Sequence, residues 1–240
     1  MTIKTDPQET LPEGLPLQSL LLILLSVAAG VLLAINLMPL WLPGLALSAA
    51  GSEPKIFWFL SRGSAIAAYW ILWLAMGMGI VITNRLARVW PGAVPAFEIH
   101  QFTSMLGVGL ALFHALILLG DRYMNYTLGQ VLLPFTSAGY EPLWVGVGQS
   151  AFYGWLLIVL SFYVRKRIGK NAWRLIHFGS YACFLAVMLH GIFSGTDTAA
   201  RWVQILYWIS GASLLFLTVY RVLNSRLAAA PRKPVPSAGD

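Results

Sequence analysis

Charge is scarce in this chain. Only 10% of its 240 residues are charged, whereas 58% are hydrophobic. A soluble domain carries roughly 25% charged residues, so too few are present to cover a water-facing surface. Cysteine is almost absent as well: Cys183 stands alone, inside an apolar run. One thiol excludes an internal disulfide, a thiolate metal site and a CxxCH attachment, leaving the role of an inert buried side chain. The glycine fragments GMG (77–79) and GVG lie inside apolar runs with no strand before them, so they are not dinucleotide-binding loops. There is no internal repeat and no second domain. A plain signal peptide is not expected either, because Asp6, Glu9 and Glu13 face a single Lys4 ahead of the first apolar run.

What the chain does have is apolar runs near the 20 residues that a helix needs to cross a bilayer. Six are marked, at about 18–38, 57–83, 97–120, 147–165, 173–194 and 202–222. The expected fold class is an all-α integral membrane protein, a six-transmembrane-helix bundle. Residues 1–16 are read as an N-terminal segment, 17–222 as the membrane domain, and 223–240 as a disordered, proline-rich tail. The segment 121–146 is too long for a tight turn and carries the short apolar piece VLLPF, suited to lying along the membrane surface.

The formal charge of +7 would admit nucleic acid as a partner, but the placement of the charges speaks against it. Twelve of the sixteen basic residues, among them Arg165, Lys166, Arg167, Lys170, Arg174 and Arg221, fall at the two termini and in loops 2–3 and 4–5. Lys55, Arg62, Arg122 and Arg201 fall toward the other side. By the positive-inside rule both termini are expected in the cytoplasm. The expected location is the inner (cytoplasmic) membrane, with lipids as partners and no nucleic acid.

The chain holds four histidines. His100 and His114 lie in span three, and His177 and His190 in span five. Both spans run in the same direction, so the rise of a helix sets the two pairs roughly 20 Å apart in depth. Each level then has one imidazole from each helix. That arrangement suits bis-histidine b-type haem, which needs two imidazoles facing each other across one iron. It does not suit a four-histidine zinc or copper site, whose ligands must converge. Intramembrane ionisable residues are functional candidates by default; the alternative reading is a proton or small-solute transporter with the histidines as relays. One feature is awkward. A step of 14 residues keeps His100 and His114 within about 40° of one face, whereas 13 leaves His177 and His190 about 140° apart on a straight helix. A tilt, π-bulge or kink, with Gly179–Ser180 as a possible place, would be needed.

The stretches HQFTSMLGVGLALFH (100–114) and HFGSYACFLAVMLH (177–190) resemble the paired-histidine helices of the ferric-reductase-like transmembrane domain. The resemblance covers roughly residues 55–222. It implies two non-covalent b-type haems, the inner held by His100 and His177 and the outer by His114 and His190. It further implies that single electrons pass from the cytoplasmic side to an acceptor outside, either Fe(III), oxygen or a partner oxidoreductase. Arg62 matches an arginine near the outer haem, where a propionate would supply the partner that an intramembrane charge needs; snorkelling to the headgroups is the alternative. Arg174, beside Trp173 and one turn before His177, would act likewise at the inner haem. Members with cytoplasmic FAD and NADPH domains continue well past the sixth span. This chain is expected to rely on a separate donor, a flavoprotein or a quinol, as the membrane haem component of an oxidoreductase.

Overall fold

The computed structural model describes residues 14–42, 44, 56–84, 86, 92–121 and 124–229. Lys4, Lys55, Arg85, Arg88, Arg122, Arg232 and Lys233, all used in the topology reading, lie outside them, as does the tail beyond 229. The described residues form seven helices and no strand: α1 (Leu17–Trp41), α2 (Ile56–Thr83), α3 (Ala93–Ile117, extended by a 3₁₀ turn to Gly120), α4 (Leu128–Leu132), α5 (Pro142–Ile168), α6 (Lys170–Ser194) and α7 (Arg201–Ala229). Six of them, all but α4, are long and apolar enough to cross a membrane. The chain is a multi-pass membrane protein.

Its outer surface shows the same thing. Leu22, Leu25, Leu40, Leu175, Trp208, Leu215 and Phe216 point outward, each more than 60% exposed. Such a surface is stable only against lipid, since in water it would be one continuous apolar patch. The interior is built from two helix pairs, α2 with α3 and α5 with α6; α1 lies on α3 and α7 on α2. Between them Tyr69, Leu72, Met76, Val108, Trp155 and Phe184 form the main packed core.

Local sequence explains where the elements stop. Gly169 takes φ of 84°, a backbone region open to glycine and costly for other residues. It therefore breaks the chain between α5 and α6 in one residue, in the middle of VRKRIGKNAWR. Pro142 opens α5 at a position where its missing N–H costs nothing. Thr127 and Gln130 form a reciprocal capping box on α4: Thr127 Oγ1 accepts from Gln130 N, and Gln130 Oε1 accepts from Thr127 N at 3.0 Å.

One expectation needs correction. The last span does not end at 222 with disorder from 223; α7 continues to Ala229, because no glycine or proline interrupts the chain before Pro231. Of the tilt, π-bulge or kink that the step of 13 admitted, the π-bulge at Gly179–Ser180 is not used: α6 is α-helical from Lys170 to Ser194.

The start of α1 sits beside the start of α3 and the end of α5. Leu15 N donates to Gln101 Oε1 at 2.7 Å, and Tyr163 Oη donates to Leu15 O at 3.2 Å. With an even number of spans, both ends of the described chain leave the bundle at one end. That end carries the basic run 165–174 and is called the basic end below; the other carries α4 and the 195–200 turn and is the loop end.

Candidate functional site: two opposed histidine pairs

At the loop end His114 of α3 faces His190 of α6, with ring centroids 6.2 Å apart and planes at 68°. At the basic end His100 faces His177 at 6.1 Å and 69°. The structure thus brings all four sequence-selected histidines together, in the pairs that the spacing indicated. The two rings of α6, separated by the step of 13, have different surroundings. The His190 ring is drawn to α5, whereas the His177 ring leans on Trp173 of its own helix, with centroids 5.3 Å apart.

Three of the rings are tethered by one nitrogen. Nδ1 of His100 lies 2.8 Å from Ala75 O, Nδ1 of His114 2.9 Å from Ser61 O, and Nδ1 of His190 2.8 Å from Trp144 O. A carbonyl oxygen only accepts, so each Nδ1 is the N–H donor and each Nε2 keeps its lone pair. Ser61 Oγ reinforces the second tether, donating to His114 O at 3.0 Å. Metal-bound histidines nearly always spend their second nitrogen this way, which sets the tautomer and the ring orientation. No such tether is seen for His177 among the described residues.

Each pair opens into a cavity, of about 240 Å³ at the loop end and about 410 Å³ at the basic end. The walls are mainly apolar. Trp155 lines both cavities and is buried, so its indole is the partition between them. It lies against Gly107, seven residues from His100 and from His114, where a Cβ would strike the ring. Two residues of these walls carry a buried polar atom with no partner among the described residues: Trp173 Nε1 at the basic end and Gln149 Oε1 at the loop end. The orientation of the Gln149 amide is set by chemistry, since its nitrogen lies 2.6 and 2.8 Å from two carbonyl oxygens, those of Gln130 and Val131.

The two candidate arginines differ. Arg62 of α2 lines the loop-end cavity and makes a forked ion pair with Asp197 in the turn after α6; its Nε donates to Oδ2 at 2.8 Å, and Nη2 to Oδ1. The partner that an intramembrane charge needs is therefore present in the protein. Arg174 is exposed and lies at the mouth of the basic-end cavity, with Lys170 and Arg221. At the loop end Tyr140 donates to Ser194 O at 2.8 Å. Burial, then the charge of Glu141, pushes its phenol above the ordinary range, so the donor stays protonated. Among the described residues no three of His, Cys, Asp and Glu gather as a metal site, so each pair is a set of two opposed imidazoles.

Ser61, Gln149, Trp155 and Asp197 escaped the sequence reading. Asp197 had a signal, as an acid in the loop SGTDTAAR facing the side that holds Arg62; α4 had one in the capping pattern TLGQ. Ser61 and Trp155 had none, since serine and tryptophan are ordinary in an apolar helix.

No curated protein and no solved structure matches the chain. A family model described as a domain of unknown function (DUF8596) matches residues 56–197. That match runs from the first residue of α2 to Asp197 and takes in both histidine pairs. Covering more than half of the sequence, it places the chain in the DUF8596 family.

Proposed function

We propose that this protein is a ferric-reductase-like cytochrome b: the membrane haem component of an oxidoreductase, moving single electrons across the bilayer. Bound at the two levels, a pair of non-covalent b-type haems would supply reversible one-electron chemistry. His100 and His177 would hold the inner one, and His114 and His190 the outer. The electrons would enter from a cytoplasmic-side flavoprotein or a quinol and leave to Fe(III), oxygen or a partner oxidoreductase outside. The basic end would face the cytoplasm, with the protein in the inner membrane.

The observation that carries this reading is the spacing of the rings. A metal held between the two imidazoles of a pair, at about 2.0 Å from one nitrogen of each, would set the ring centres about 6 Å apart. The observed 6.1 and 6.2 Å agree with that separation at both levels. The three Nδ1 tethers support it, because they leave Nε2 as the nitrogen able to bind a metal. The remaining residues have plain tasks. Trp155 keeps the cavities apart and, with the apolar walls, excludes water. Arg174, Lys170 and Arg221 present donors to carboxylates at the basic-end mouth. Arg62, held by Asp197, fixes the 195–200 turn over the loop end.

A reduced-minus-oxidised spectrum of protein purified with adequate haem supply tests the reading. We expect a b-type α band and two haems per chain. His114→Ala should lose the outer haem and keep a low-spin inner one. Absence of the band, or equal haem content in the variant and the parent, would overturn it.

A further inference from the structure

Two of the tethers share a device. The carbonyl that receives His100 Nδ1 belongs to Ala75, and the residue four positions on is Gly79. The carbonyl that receives His190 Nδ1 belongs to Trp144, and four positions on is Gly148. In an α-helix the carbonyl of residue i points at the N–H of residue i+4. A second donor approaching that carbonyl from a neighbouring helix can pass close over the Cβ position of residue i+4, and these two rings do so, whereas His114 reaches the carbonyl of Ser61 with Ala65 at that position. At the two glycines a methyl would meet the incoming ring: at Gly79 it would fall 3.2 Å from His100 Cε1, and at Gly148 it would fall 2.5 Å from His190 Nδ1 and 2.7 Å from Cγ. At Gly77, two residues before Gly79 on the same helix, nothing lies within 4 Å of such a methyl.

We propose that Gly79 and Gly148 are positioning residues, one per cavity. Each leaves bare a helix carbonyl on which a histidine of the adjacent helix seats its Nδ1–H, leaving Nε2 as the nitrogen free for a ligand. The device is repeated between two helix pairs: α2 seats a ring of α3, and α5 seats a ring of α6. A glycine placed only for close helix packing would account for a small residue at these positions. It would not account for a ring nitrogen at bonding distance from the i−4 carbonyl in both. In assigning the glycines a role toward a cofactor, the inference rests on the haem reading above; the seat itself does not.

The test compares Gly148→Ala, Gly79→Ala and Gly77→Ala in the full chain. Electron paramagnetic resonance and redox titration are read, with signals assigned by way of His114→Ala. Loss of an outer-shell partner typically weakens metal binding about 10–100-fold. Gly148→Ala, with the closer contact, should lose the loop-end low-spin signal. Gly79→Ala should keep both signals but shift the g values and the midpoint potential of the basic-end one. Gly77→Ala should match the parent. Parent-like signals and potentials in both Gly79→Ala and Gly148→Ala would overturn the proposal, as would an equal shift in Gly77→Ala. If the parent holds no haem, the functional reading fails and the seat is judged alone by ¹⁵N spectra of labelled histidine. An Nδ1–H tautomer at His190 that is lost in Gly148→Ala supports it. An Nε2–H tautomer at His190 in the parent overturns it.

Discussion

At the scale of single residues, the Arg62–Asp197 pair shows how a charge is kept inside an apolar helix. Each partner is about a quarter to a third exposed, at 31% and 26%, so water screens the pair in part. Its contribution should be closer to a surface pair than to a buried one. A double-mutant cycle with Arg62→Gln and Asp197→Asn, followed by unfolding in mixed micelles, should give a coupling of about 0.5–1 kcal/mol. Strict additivity would show that the pair does not act as a unit. Arg62 was visible in the sequence as an oddity, whereas Asp197 was not singled out. Their meeting was not legible, because 135 positions separate them and spacing rules reach only along one helix. The four histidines were legible for the opposite reason: in a span an imidazole is rare and costly, so each one asks for a role.

Among the elements, α4 is the one whose stability is borrowed. Five residues are too few to hold a helix in isolation. The capping box closes its start, and its last carbonyls are held by α5, where Gln149 Nε2 donates to Gln130 O and Val131 O and Tyr153 Oη donates to Leu132 O. Gln149→Leu removes two of these donors. Amide exchange over residues 128–133 should then rise about tenfold or more, since each lost bond is worth about 1 kcal/mol. Exchange in α2 and α3 should stay unchanged. If α4 exchanges as in the parent, the Gln149 contacts do not hold it. The six long helices were readable from hydropathy alone, with ends displaced by a few residues where glycine or proline gave the true stop. The step of 13 in α6 was readable as a difficulty, but the partners of its two rings, α5 for His190 and Trp173 for His177, were not readable, because they belong to packing.

For the whole molecule, the asymmetry of charge between the two ends sets the expected orientation. A fluorescent protein fused after residue 240 should be bright and alkaline phosphatase at the same place inactive. Alkaline phosphatase inserted at Gly139, in the connection that follows α4, should be active; the reverse pattern would invert the topology. The sequence by itself determined that this is a six-span helical membrane protein with imidazoles at two depths. Composition decides the solvent, and the helix rise converts residue number into depth. The tertiary structure alone decided what those imidazoles face: opposed rings 6.1 and 6.2 Å apart, tethers to the carbonyls of Ala75, Ser61 and Trp144, and Trp155 as the wall between two cavities. These depend on which helix surfaces meet. That is a property of side-chain packing between segments far apart in the chain, and periodicity within one segment does not encode it.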